Sequence, residues 1–242
     1  METAKLKKFA QAARTELRRQ VETKLIQVLH ASSAARRENP QAVAQLERQI
    51  QESSKEQVIE KVAYTWFNRF CALRFLDVNG FTNPRVLTPM EGQITPEILA
   101  EAKMGHLDEE LVTGKTREKV LDLLAGRAPG SDPQGEAYRL LLVSACNHWY
   151  GHMPFLFEQI ADYTELLMPE DLLSQGSIVT SLREVMSDDI CQDVEVIGWL
   201  YQFYIAEKKD EVFAGLKKNI KITAEKIPAA TQLFTPHWIV RY

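Results

Sequence analysis

Apolar residues along this chain recur with a helical period almost throughout. Between residues 3 and 31 they fall at Leu6, Phe9, Ala13, Leu17, Val21, Leu25, Val28 and Leu29, one stripe of an α-helix with a basic face opposite. Ser32–Ser33 and the run from Arg36 to Asn39 break that stripe. Asn39–Pro40 then reads as an N-cap followed by the residue favoured at the first helical position, and the same device recurs at Thr95–Pro96, Asp132–Pro133 and Thr235–Pro236. The pattern predicts a second helical region from Pro40 to about Val78, broken near Ser53–Ser54. From Val58 to Leu76 its apolar residues (Val62, Trp66, Phe67, Phe70, Leu73 among them) surround the helix on all sides, which marks a central helix. Asn68, Arg69 and Arg74 lie within that stretch, and a buried cation needs partners. Further helices are expected at 96–104, 107–113, 116–125, 134–150, 178–187 and 193–208. The Gly- and Pro-rich segment 126–135 reads as an exposed loop or a joint between subdomains. No strand alternation and no internal repeat is present, so the fold class is all-α, a multi-helix, bundle-like domain.

Composition narrows the function classes. With 242 residues, 45% hydrophobic and 26% charged, the chain has material for one large or two small globular domains at about 150 residues each. Its 11 glycines are never closer than four residues apart. That excludes the Gly-x-Gly of dinucleotide folds and kinase loops, and Gly114–Lys115–Thr116 lacks the earlier glycine of a P-loop. Of the net charge of −4, residues 1–61 contribute +4, from twelve Lys/Arg against eight Asp/Glu, and the remaining 181 residues −8. The cations Lys5, Lys8, Arg18, Arg19 and Lys24 on the first helix form the candidate DNA-binding face, against the plainer reading of a solvated face. Cys71, Cys146 and Cys191 are odd in number and sit in apolar stretches, as reduced core thiols do. No run approaches the ~18 apolar residues of a membrane span, and the N-terminus has no apolar signal core, so the expected location is cytoplasmic.

Candidate catalytic chemistry is sparse. His148 and His152 are four apart, as zinc ligands on one helix face are, but Trp149 stands where a metalloprotease has glutamate and no third ligand is evident. The expectation is a helix end packed with aromatics and no metal. The acid pairs Glu109–Glu110 and Asp188–Asp189 lie on polar stretches, and nothing assembles a nucleophile, a base and an oxyanion site. No catalytic residue is assigned.

Three blocks carry a resemblance. Gln232-x-Phe234-Thr235-Pro236-x-x-Ile239-Val240 resembles the aromatic-Thr-Pro segment that opens the catalytic domain of N6-adenine DNA methyltransferases, including the modification subunits of type I restriction systems. Ile197 to Tyr204, as Gly198-Trp199-Leu200-Tyr201-Gln202-Phe203-Tyr204, resembles their Gly-x-x-Tyr-Glu helix, with Gln202 where many have Glu. With the stretch from Tyr64 to Phe75 and the run from Ile197 to Ala214, the arrangement is most similar to the N-terminal region of the PglX family, the adenine-specific methyltransferases of BREX phage-defence systems. The resemblance implies a helical N-terminal domain over 1–226 and the start of a truncated methyltransferase domain at 227–242. It implies S-adenosylmethionine as cofactor, with Phe234, Thr235 and Pro236 at one edge of its site, where a helix N-terminus suits the methionine carboxylate. It also implies double-stranded DNA, the catalytic domain of the same chain and other BREX proteins as partners.

The family's Asn/Asp-Pro-Pro-aromatic motif is absent: Asn39–Pro40 is followed by Gln41, and Asn83–Pro84 by Arg85. The expectation is therefore a piece of a longer enzyme, inactive by itself, with the catalytic motif beyond Tyr242. The alternative is a free-standing helical module that binds protein or nucleic acid.

Overall fold

In the computed structural model of the chain, residues 3–154, 157, 163–218, 221, 227–231, 235 and 239 are described. The elements are α1 (Thr3–Leu29), α2 (Ala34–Glu38), α3 (Pro40–Glu52), α4 (Lys55–Val78), α5 (Glu97–Lys103), α6 (Gly114–Leu124), α7 (Pro133–Tyr150), α8 (Tyr163–Leu166), α9 (Ile178–Val185), α10 (Glu195–Lys217) and α11 (Ile227–Thr231). Among the described residues there is no strand, only an isolated bridge between Pro89 and Pro96, and the fold is all-α.

The centre is α1, α4 and α10, which pack against one another. The predicted stripe of α1 is buried from Leu6 to Val28. On α4 the buried set runs round the helix, from Val58 through Trp66, Phe67, Phe70 and Cys71 to Asp77, as a central helix requires. Each large apolar side chain so buried stabilises the fold by about 1.5–3 kcal/mol before conformational entropy is set against it. Phe9 meets Phe67 at 6.3 Å between ring centroids, and Arg14 reaches Glu60, so residue numbers rise on α1 as they fall on α4 and the two helices are antiparallel. Helix α9 lies on α1 and α4, and α3 lies on α4 and α8. Helices α5, α6 and α7 form a second layer.

Helix starts follow local chemistry. Ser54 Oγ accepts from Gln57 N at 3.2 Å, Ser177 Oγ from Thr180 N at 3.2 Å and Asp132 Oδ1 from Gly135 N at 3.0 Å. A Cβ on Gly135 would stand 1.8 Å from Asp132 Oδ2, so the capping carboxylate occupies the space that glycine leaves free. Pro40 and Pro133 begin their helices as predicted, whereas Pro96 is itself the cap residue and α5 starts at Glu97.

Two further expectations fail. Residues 107–113 are not a helix. Asp108 Oδ1 accepts from Glu110 N at 2.8 Å and from Leu111 N at 3.3 Å, holding a turn that ends in the α6 cap. The break after α1 is not plain coil either, since α2 forms there under a Ser33 cap. Helix α10 continues nine residues past the predicted 208, to Lys217. The 126–132 segment is an exposed connection, and the helices it joins, α6 and α7, pack on each other.

Candidate functional site

The basic face of α1 is largely neutralised within the fold. Arg18 Nε lies 3.0 Å from Glu60 Oε2 of α4, Arg19 is bound by Glu16 one turn back, and Lys24 pairs with Glu170 across to another element. Arg14, nearly buried, spans Glu60 and Glu207 at 3.1 Å each and so bolts α1 to both α4 and α10. Of the five predicted cations, Lys5 and Lys8 are the exposed ones nearest the N-terminal end. A guanidinium held by carboxylates has little net charge to offer a phosphate.

The two aromatic blocks, more than a hundred residues apart in sequence, meet. Tyr64 lies 5.7 Å from Tyr201 and 5.6 Å from Tyr204, and Phe67 lies 4.4 Å from Tyr204, centroid to centroid. Burial pushes the Tyr64 and Tyr204 hydroxyls well above the ordinary phenol range, so both stay neutral. Arg69, one of the two cations expected inside α4, lies 5.0 Å over the Trp66 ring, and Trp66 Nε1 donates to the Thr164 carbonyl at 3.0 Å. Among the described residues this junction is aromatic packing.

Thr235 is exposed, and Phe234 and Pro236, the other members of the predicted cofactor edge, lie outside the described residues. The short helix α11 precedes them and packs on α10.

His148 and His152 are neighbours, with ring centroids 5.2 Å apart, at the end of α7 where Gly151 closes the helix. Among the described residues no group of three or more His, Cys, Asp or Glu is placed to hold a metal ion. His148 lines a cleft of about 450 Å³ beside α6 and α7, together with Thr116, Ser144, Asn147 and Glu165. No hydrogen bond joins Ser144 to His148 among the described residues, so a nucleophile–base pair is not assembled there. The three cysteines are free and buried, as their apolar settings predict. Burial pushes the thiol of Cys146 up to about 12 and that of Cys191 to about 11, which leaves them inert at neutral pH.

Sequence reasoning missed the densest polar cluster. Asp77, at the last turn of α4 and 3% exposed, accepts five hydrogen bonds from the segment that follows. They come from Thr82 Oγ1 at 2.6 Å, Val86 N at 2.8 Å, Leu87 N at 2.7 Å, and Thr88 N and Oγ1 at 2.9 Å each. Arg74, one turn earlier, donates to the Met186 carbonyl at 3.0 Å and to Thr88 Oγ1 at 2.8 Å, and pairs with Asp188. Tyr138 of α7 donates to the Val86 carbonyl at 3.0 Å and Arg183 of α9 to that of Leu87 at 3.3 Å. This knot joins α4, α7 and α9 through one loop. The available signal was a carboxylate in an apolar helix just ahead of a Thr- and Pro-rich turn.

No described helix is long and apolar enough to cross a membrane. No family model matches the chain. It is 40% identical over 203 residues to the adenine-specific methyltransferase BrxX of Escherichia coli O9:H4 (strain HS), covering 81% of this chain and 16% of that protein. It is 37% identical over 191 residues to the adenine-specific methyltransferase PglX of Lacticaseibacillus casei (strain Zhang), covering 76% of this chain and 15% of that protein. The chain spans about a sixth of the length of these curated relatives. Over roughly four-fifths of its own length, this all-α chain is a homologue of the adenine-specific methyltransferases BrxX and PglX.

Proposed function

We propose that this chain is the helical N-terminal domain of an adenine-specific DNA methyltransferase of a BREX phage-defence system. The observation that carries the reading is the 40% identity sustained over 81% of the chain, far more than a short motif provides. The whole enzyme transfers a methyl group from S-adenosylmethionine to N6 of an adenine held out of the duplex. Residues 1–226 form the helical domain and 227–242 open the methyltransferase domain. Phe234, Thr235 and Pro236 contribute one edge of the cofactor site, and the exposed Lys8 on the basic face of α1 contacts the DNA backbone. By itself the chain lacks the Asn/Asp-Pro-Pro-aromatic motif that holds the adenine amino group, so it transfers no methyl group.

The test is methyl transfer from labelled S-adenosylmethionine to an adenine-containing duplex. The full-length protein transfers label to adenine N6, and the 242-residue chain does not. Transfer by the short chain, or label on cytosine from the long one, overturns the proposal.

A further inference from the structure

We infer that the C-terminal half of α10 is the surface on which the remainder of the parent methyltransferase docks. This rests on the reading above, that the chain is one domain of a longer enzyme. Helix α10 buries Val196, Leu200 and Tyr204 against the core. Beyond Tyr204, Val212 is buried, at 4%, and Ile205 packs against the core, but Phe213 and Leu216 on another face of the helix are 43% and 40% exposed. They stand one turn apart on the same helix, flanked by Lys208, Lys209, Lys217 and Lys218, the pattern of an apolar patch with a charged rim.

Phe213 and Leu216 are adjacent on α10, and Ile227 of α11, which packs on α10, is 48% exposed. Isolated exposed apolar residues need no explanation, but neighbouring ones form a patch of the kind contact surfaces use.

Two observations choose the occupant. The curated relatives are about six times longer than the stretch this chain matches, so most of the parent polypeptide is available to cover the patch. The segment after α10 already folds back, since α11 packs on α10. Chain leaving that point is tethered to α10 at high effective concentration, which a separate protein would have to match by affinity.

The experiment is peptide-resolved thiol labelling of the full-length protein carrying Phe213→Cys, Leu216→Cys or, as a reference, Ile26→Cys, whose parent residue is 59% exposed on α1. The native Cys71, Cys146 and Cys191 are buried and label slowly. The expected result is labelling at 213 and 216 at least about ten-fold slower than at 26 in the full-length protein, with all three comparable in the 242-residue chain. Equal rates at the three positions in the full-length protein overturn the inference. So does protection that is already present in the short chain and grows with its concentration, which assigns the face to a second copy. Hydrogen exchange of residues 205–217 in the two unsubstituted proteins reads the same protection without any substitution. Failure here is separable from failure of the proposed activity: an active enzyme with an open α10 refutes only the docking, and an inactive one with a protected α10 refutes only the methyl transfer.

Discussion

Replacing Asp77 by asparagine takes one acceptor oxygen out of a buried knot and puts two N–H donors in its place. Asp77 Oδ2 accepts from Leu87 N, Thr88 N and Thr88 Oγ1, and Oδ1 accepts from Val86 N and Thr82 Oγ1. The least costly asparagine rotamer keeps its oxygen towards the three donors of the first set. Its amide then faces Val86 N and Thr82 Oγ1. The threonine hydroxyl rotates to accept, but the Val86 N–H is a donor facing a donor, and Val86, 1% exposed, is shut off from solvent. One buried unsatisfied amide costs about 1–3 kcal/mol, and losing the charge on the remaining bonds adds about 1 kcal/mol more. The expected destabilisation of Asp77→Asn is therefore about 2–4 kcal/mol, read as a fall in the urea midpoint at unchanged slope. Hydrogen exchange locates it, with Val86, Leu87 and Thr88 amides losing protection first. Asp188→Asn is the control: that side chain is 81% exposed, and its pairing with Arg74 is worth less than about 1 kcal/mol. If Asp77→Asn costs no more than Asp188→Asn, this carboxylate does not organise the loop.

Other substitutions and conditions probe separate parts of the molecule. Gly135→Ala forces the Asp132 carboxylate out of its capping position, so it destabilises the chain by about 0.5–2 kcal/mol in chemical denaturation, the reverse of the usual gain from alanine in a helix. Cys146 and Cys191 have thiols raised from the ordinary value of 9.0 to about 12 and about 11, so the folded chain holds their protons where the unfolded chain has released them. Their contribution to stability is complete below pH 9 and is lost as the pH climbs from there through about 11 to 12, which thermal melts across that window register as a falling Tm. In the full-length enzyme, Lys8→Glu weakens duplex binding and flattens its salt dependence by about one unit of slope, whereas Arg19→Glu, at a guanidinium already held by Glu16, has the smaller effect on both.

What the sequence made legible follows from which interactions are local. The α1 stripe and the all-round apolar α4 were readable because helical periodicity is a short-range pattern, and the cysteines because their neighbours are apolar. The 107–113 segment misled because Leu107, Leu111 and Val112 have helical spacing. What decides the segment is the Asp108 side chain competing for the amides of residues 110 and 111, and periodicity does not register that. The basic face shows another limit of local reading. Counting cations on α1 gives a surplus, but the carboxylates that cancel Arg18 and Lys24 belong to Glu60 and Glu170, 42 and 146 residues further on. Long-range pairing of this kind is invisible to a local charge count. Asp77 was overlooked for a different reason: its donors are near in sequence, but they come from a loop whose path only the packed structure specifies.

Two of the blocks that carry the family resemblance meet in the structure. Tyr64 and Phe67 on α4 and Tyr201 and Tyr204 on α10 interlock, so the aromatic blocks set the angle and register at which α10 crosses the core. Arg14 adds a second fixation by holding Glu60 and Glu207 together. These contacts fix the first half of α10 on the core. If the segment from 227 onward opens the methyltransferase domain, the helical domain acts on catalysis by aiming that domain and touches no reacting atom. Loosening the junction with Tyr204→Ala should then lower methyl transfer by the full enzyme even where the helical domain stays folded. Combined with Phe213→Cys or Leu216→Cys, the same substitution should also strip those positions of their protection from labelling. Full activity with an undocked α10 would break the link between the two.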